Sequence, residues 1–115
     1  MIKLKPLLIE NDLRIFRGES VHNRGGNFWA TDPEQARQYT QAGRDREILT
    51  AYIDSSRVYK ANPPPFFGDE KYFDQVMEYV VDEGYPAFWV DEGRYEPPSI
   101  FVVNKFALRK MSRLK

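Results

Sequence analysis

Short runs rich in β-branched and aromatic residues recur along the whole chain, and only two segments between them carry the spacing of a helix. This is the strongest constraint on the fold. Parallel strands need a crossover of a dozen or more residues, usually helical, and most of these runs are not separated in that regular way. Residues 13–17 (LRIFR), 27–31 (NFWAT), 47–53 (EILTAYI), 87–90 (AFWV) and 99–103 (SIFVV) read as strands. Residues 58–59 read as a continuation of the third pairing, and 107–111 as a short closing strand. In the first run Ile15 and Arg17 share one face and Phe16 takes the other. The expected class is α+β, with a compact split or mixed, largely antiparallel sheet and two short helices.

Punctuation places the helices. Asp32 is a side-chain cap, Pro33 suits the first helical position, and Gln35 stands three residues after the cap, so a helix is predicted from there to about 42, ended by Gly43. A second is predicted over 71–83, with Tyr72, Val76, Tyr79 and Val80 as its core stripe and Gly84-Tyr85-Pro86 as its stop. Asn62-Pro63-Pro64-Pro65 lacks amide donors at its prolines and reads as a surface loop. At 115 residues, the chain from 1 to 115 is expected to form one domain around one core.

Composition removes several function classes. There is no cysteine and the single histidine is His22, so neither a thiolate nucleophile nor a Cys-ligated zinc is available, and no metal site is expected. Lys plus Arg equals Asp plus Glu, 17 against 17, so no excess of positive charge advertises nucleic acid or an anionic membrane. The charge is uneven, however. Residues 69–96 hold nine acids against Lys71 and Arg94, and 105–115 hold five basic residues and no acid, which reads as a solvated acidic face and a basic end. The first apolar run is too short for a signal peptide and nothing approaches the roughly 20 apolar residues of a span, so a cytoplasmic protein with no membrane partner is the expectation. Ser20 near His22 fixes no triad geometry, and neither a dinucleotide fingerprint nor a phosphate loop is present.

Three features then fall in order: IFRG at 15–18; GNFWAT at 26–31, leading into the capped helix through Ala36 and Tyr39; and GYPAFW at 84–89, ahead of SIFVV. In that order they resemble the ADP-ribosyltransferase superfamily, whose split-sheet fold cleaves NAD at the nicotinamide–ribose bond. The resemblance covers most of the chain. It implies a sheet of the ADP-ribosyltransferase type, NAD as the substrate, and transfer of ADP-ribose to a macromolecular acceptor, a protein first of all. Small members of this outline resemble toxins, effectors or phage counter-defence proteins.

Carried onto this sequence, Arg17 matches the Arg or His that ends the family's first strand, and its guanidinium suits a pyrophosphate or a ribose hydroxyl. Gly18 lets the backbone read the nicotinamide carboxamide, and an aromatic among Phe28, Trp29 and Tyr39 stacks on the ring. Phe28 and Trp29 point opposite ways along a strand, so one lines the cleft while the other fills the core. The family's carboxylate at the head of the strand corresponding to SIFVV is here Ser99. Glu96, three residues earlier across Pro97-Pro98, is the acid expected to assist ribose chemistry, with Asp91 and Glu92 as further candidates. Glu19 is read as an ion-pair partner that orients Arg17. Because Ser99 stands at the acid position, the alternative is a catalytically inactive module of the same fold. Such a module would dock a protein on the acidic 69–96 surface or on Phe66-Phe67.

Overall fold

The computed structural model describes residues 12–19, 26–38 and 47–114. Ser20, His22, Tyr39 and the expected helix end at 42–43 lie outside the described residues. In chain order the elements are β1 (Asp12–Glu19), β2 (Phe28–Ala30), α1 (Pro33–Gln38), β3 (Glu47–Asp54), β4 (Val58–Tyr59), α2 (Glu70–Glu83), β5 (Ala87–Val90), β6 (Ser99–Val102) and β7 (Arg109–Leu114). The strands form one sheet in the order β4-β5-β6-β2-β1-β3-β7. Every neighbouring pair is antiparallel except β4 with β5, so the sheet is mixed and the class is α+β.

The helix signals work through their capping groups. Asp32 accepts the Glu34 N–H at 3.1 Å at the head of α1. Asp69 accepts the Tyr72 N–H at 3.4 Å at the head of α2, and Gly84 ends that helix at a φ of 82°, which favours glycine. The buried stripe of α2 is Phe73, Val76 and Val80, whereas Tyr79 on its flank is exposed. Phe73 packs its ring against Phe88 and Phe101, each at a centroid distance of 5.3 Å, and Tyr72 is half-buried against the same cluster.

Two sequence expectations need correction. Val58-Tyr59 does not prolong β3: Asp54 caps a 3-10 turn over Ser55–Arg57 that redirects the chain, and β4 pairs in parallel with β5 at the opposite end of the sheet. The triple-proline stretch is not wholly superficial, since Pro65 is fully buried. Its nitrogen cannot donate to a ladder, but its carbonyl accepts the Asp91 N–H at 2.8 Å, which ties the loop to the chain just after β5.

Both helices cover the same face of the sheet. Phe16, Ala30 and Ile48 pack with Ala36 of α1, and Phe28, Phe88, Val90 and Phe101 pack with the apolar stripe of α2. The other face buries Ile15, Trp29, Ala51, Ile53, Ile100 and Val102, with Leu108 and Ala107 packed against them. As expected from the alternation, Ile15 and Phe16 belong to different clusters.

Candidate functional site

The sheet is weakest between β1 and β2. Their ladder consists of one register pair, Phe16↔Ala30, whereas β1 and β3 pair over all eight residues. Continued by two residues, the same register would set Gly18 opposite Phe28. At that point Arg17 takes over. The Phe28 carbonyl accepts the Arg17 Nη1–H at 2.9 Å, and Glu19 accepts the Nε–H at 3.2 Å. Asn27 turns its own carbonyl toward β6, where it accepts the Val102 N–H, so the Phe28 carbonyl points the other way, into the gap facing β1. The guanidinium therefore occupies the place of a missing strand-to-strand bond.

Arg17 is 8 % exposed, and charge this deeply buried needs a counter-charge. Glu19 supplies it, on the same face of β1 two residues along. Gly26 makes room for the group: a Cβ built there would lie 2.4 Å from Nη2, closer than atoms can approach. The bare backbone of Gly26 thus lets the guanidinium reach β2. Gly18 is buried and sits opposite Ile48 in the β1–β3 ladder.

A second polar cluster lies at the head of β6. Ser99 is 3 % exposed and its hydroxyl donates to Glu92 Oε2. Ser99 pairs with Ala30 on one side and Val90 on the other, so its side chain belongs to the helix-covered face. The two residues before it are fixed by α1 and its approach: the Gln35 amide donates to the Pro97 carbonyl at 3.1 Å, and Thr31 donates to the Pro98 carbonyl at 2.8 Å. Gln35 is therefore not the reciprocal cap that its spacing from Asp32 predicts; it reaches across to the β5–β6 connection. Its Oε1 is buried without a hydrogen-bond partner.

The sequence-predicted residues separate into groups. Arg17 and Gly18 lie at the seam with Phe28, which contributes a backbone carbonyl there while its ring packs under α2 beside Phe101 at 4.9 Å and Phe73 at 6.0 Å. Trp29 is 3 % exposed in the core of the opposite face. Ser99 meets a carboxylate, and that carboxylate belongs to Glu92. Glu96 is exposed in a turn where its N–H reaches the Gly93 carbonyl at 3.4 Å. Tyr39 lies outside the described residues. Gly26 and Gln35 are site residues that sequence reasoning did not single out.

The two polar clusters stand on opposite faces of the sheet: the Arg17 side chain shares its face with Ile15 and Leu49, and that of Ser99 with Phe16 and Ala30. Phe16, Ala30, Ser99 and Val90 face one another across four adjacent strands, so the start of β6 lies two strand spacings from β1, on the order of 10 Å. Among the described residues no group of three His, Cys, Asp or Glu side chains is arranged to hold a metal ion. No helix among them is long and apolar enough to cross a membrane. No family model, curated protein or solved structure matches the chain.

Proposed function

We propose that this chain is an ADP-ribosyltransferase-like enzyme that binds NAD at the β1–β2 seam and passes its ADP-ribose to a protein acceptor. The observation that carries the reading is Arg17, held by Glu19 where two strands of one sheet part, beside the bare backbone of Gly26 and next to Gly18. The order of IFRG, GNFWAT and SIFVV supports it independently. A guanidinium offers five N–H donors in a planar fork, so it suits a pyrophosphate as well as a backbone carbonyl.

In this reading Arg17 anchors the dinucleotide and the Gly18 backbone reads the carboxamide. Glu92, which receives the Ser99 hydroxyl on the helix-covered face and so approaches the ligand from the side of the sheet opposite to the Arg17 side chain, supplies the negative charge that favours an oxocarbenium-like ribose as the bond to nicotinamide breaks. Nicotinamide leaves with the bonding electron pair, and a nucleophile of the acceptor bonds to the vacated ribose carbon. Glu92 replaces Glu96 in this role because Glu92 is the acid that meets Ser99.

The test measures nicotinamide release from NAD and transfer of labelled ADP-ribose to lysate proteins. Glu92→Gln is expected to lower both by about a hundredfold, as for loss of a charge-stabilising group, and Glu96→Gln to leave them nearly unchanged. Absence of release, transfer and NAD binding in the wild type overturns the enzyme reading. A catalytically inactive docking module is favoured instead by one feature, the Phe66 and Phe67 rings, 43 % and 53 % exposed, in contact with centroids 5.0 Å apart and planes tilted by 44°. A pull-down abolished by Phe66→Ala with Phe67→Ala, and indifferent to Arg17→Lys, distinguishes that case.

A further inference from the structure

The outward side of α2 carries Glu70, Asp74, Glu78, Asp82 and Glu83, all exposed, against the single Lys71. Beside the helix runs a groove of about 240 Å³ whose walls include Tyr59, Asn62, Gln75 and Tyr79. Tyr79 is 46 % exposed, and its ring packs 5.1 Å from that of Tyr59, which is backed in turn by Tyr85 at 5.1 Å. Partial burial of the Tyr79 ring, and next the charge of Glu83, push its phenol pKa upward, so it stays neutral at physiological pH. The groove thus offers braced aromatic faces and two side-chain amides, with the Glu83 carboxylate close enough to Tyr79 to act on its phenol.

We infer that this groove docks an arginine-bearing peptide segment of a partner protein. Aromatic faces are electron-rich and attract cations, and the carboxylates nearest in helical spacing, Asp82 and Glu83, stand three and four residues beyond Tyr79. Arginine fits better than lysine because its planar, weakly hydrated guanidinium stacks on a ring while its edge bonds carboxylates or amides. Ala61 and Val76 also line the walls and suit the aliphatic stem of an arginine, while the phenols and amides suit its polar head. A second copy of the chain is a poor match. Its basic strand β7 already commits Arg109 to Asp12 and Arg113 to Glu47, and Lys110 lies over Tyr52 of the same molecule at 5.7 Å. The groove lies at the β4 end of the sheet, away from the β1–β2 seam, so this inference does not rest on NAD binding.

The experiment titrates the full chain with blocked pentapeptides Gly-Arg-Ser-Arg-Gly, the Lys version and the Glu version, following tyrosine ring resonances by NMR. The Arg peptide is expected to shift Tyr59 and Tyr79 and to bind several times more tightly than the Lys peptide, while the Glu peptide does not bind. Tyr79→Ala, at a half-exposed position, is expected to weaken binding about threefold to fivefold, the size of a cation–ring contact. Glu83→Gln is expected to weaken it less, and raised salt to weaken it throughout. Phe106→Ala, on an almost fully exposed ring outside the groove, serves as the control and leaves binding unchanged. Three results would overturn the inference: an Arg peptide that leaves Tyr59 and Tyr79 unshifted, equal binding by Tyr79→Ala, or tyrosine shifts that track protein concentration instead of peptide and so reveal self-association.

Discussion

The two sides of the β1–β2 seam are built on different principles. On one side β1 and β3 pair without interruption from Asp12↔Asp54 to Glu19↔Glu47, and β7 extends that ladder through a bulge where Lys110 adopts a φ of 54°. On the other side β4, β5, β6 and β2 are two to four residues long, too short to be held by backbone bonds alone. There α2 and a cluster of Phe28, Phe73, Phe88 and Phe101 do the holding, with ring centroids 4.9–6.0 Å apart. One half is a ladder and the other a packed core. Where they meet, the strand ladder shrinks to one register pair, and side chains bridge the rest: Arg17 to the Phe28 carbonyl, Ala36 of α1 between Phe16 and Ala30, and Ile15 with Trp29 on the other face.

The largest expected effect falls in the packed half. Phe88→Ala removes a fully buried ring and is expected to cost about 3–5 kcal/mol in denaturant unfolding. A loss below about 1 kcal/mol would show that the ladder carries both halves. Next comes the seam itself. Arg17→Met keeps the bulk but removes the ion pair with Glu19 and the hydrogen bond to the Phe28 carbonyl, at an expected cost of about 3 kcal/mol. Gly26→Ala forces the guanidinium out of its seat and is expected to cost about 1–3 kcal/mol. Combined with Arg17→Met it should cost much less than the sum, because the clash partner is already gone. Additivity would place the two residues in separate interactions.

The smallest effect belongs to the ladder half and depends on pH. The Ser56 hydroxyl at 2.7 Å, and next its N–H at 3.0 Å, hold the Asp54 carboxyl below the usual carboxylate range. A depressed folded pKa contributes stability that is complete above the unfolded value, about 3.9, and is lost as pH falls through the folded one. Ser56→Ala should therefore reduce stability slightly at neutral pH and flatten its acid dependence below about pH 4. An unchanged acid profile would remove the serine from this role.

The outline of the fold is readable in short-range features of the chain. Asp32-Pro33 and Gly84 mark helix ends because capping and left-handed backbone are decided within a few residues. The alternation in β1 places Ile15 and Phe16 on opposite faces, and the ion pair of Arg17 with Glu19 follows from their shared face. What escaped prediction depends on long-range placement. The parallel pairing of β4, the burial of Pro65 and the reach of Gln35 to Pro97 all join residues far apart in the chain. The acid that meets Ser99 illustrates the limit. Nearness in sequence favours Glu96, but the turn at Gly93 leaves Glu96 in solvent while Glu92, seven residues before Ser99, receives its hydroxyl.

The central claim is that the seam between the ladder and the packed half is where NAD binds. Hydrogen–deuterium exchange of the whole protein with and without NAD tests it most directly. The account predicts added protection in β1 around Arg17-Gly18 and in β2 through the start of α1, with the β3–β7 ladder and α2 unchanged. NAD that leaves β1 and β2 exchanging as before, or that protects α2 or β7 instead, would contradict it.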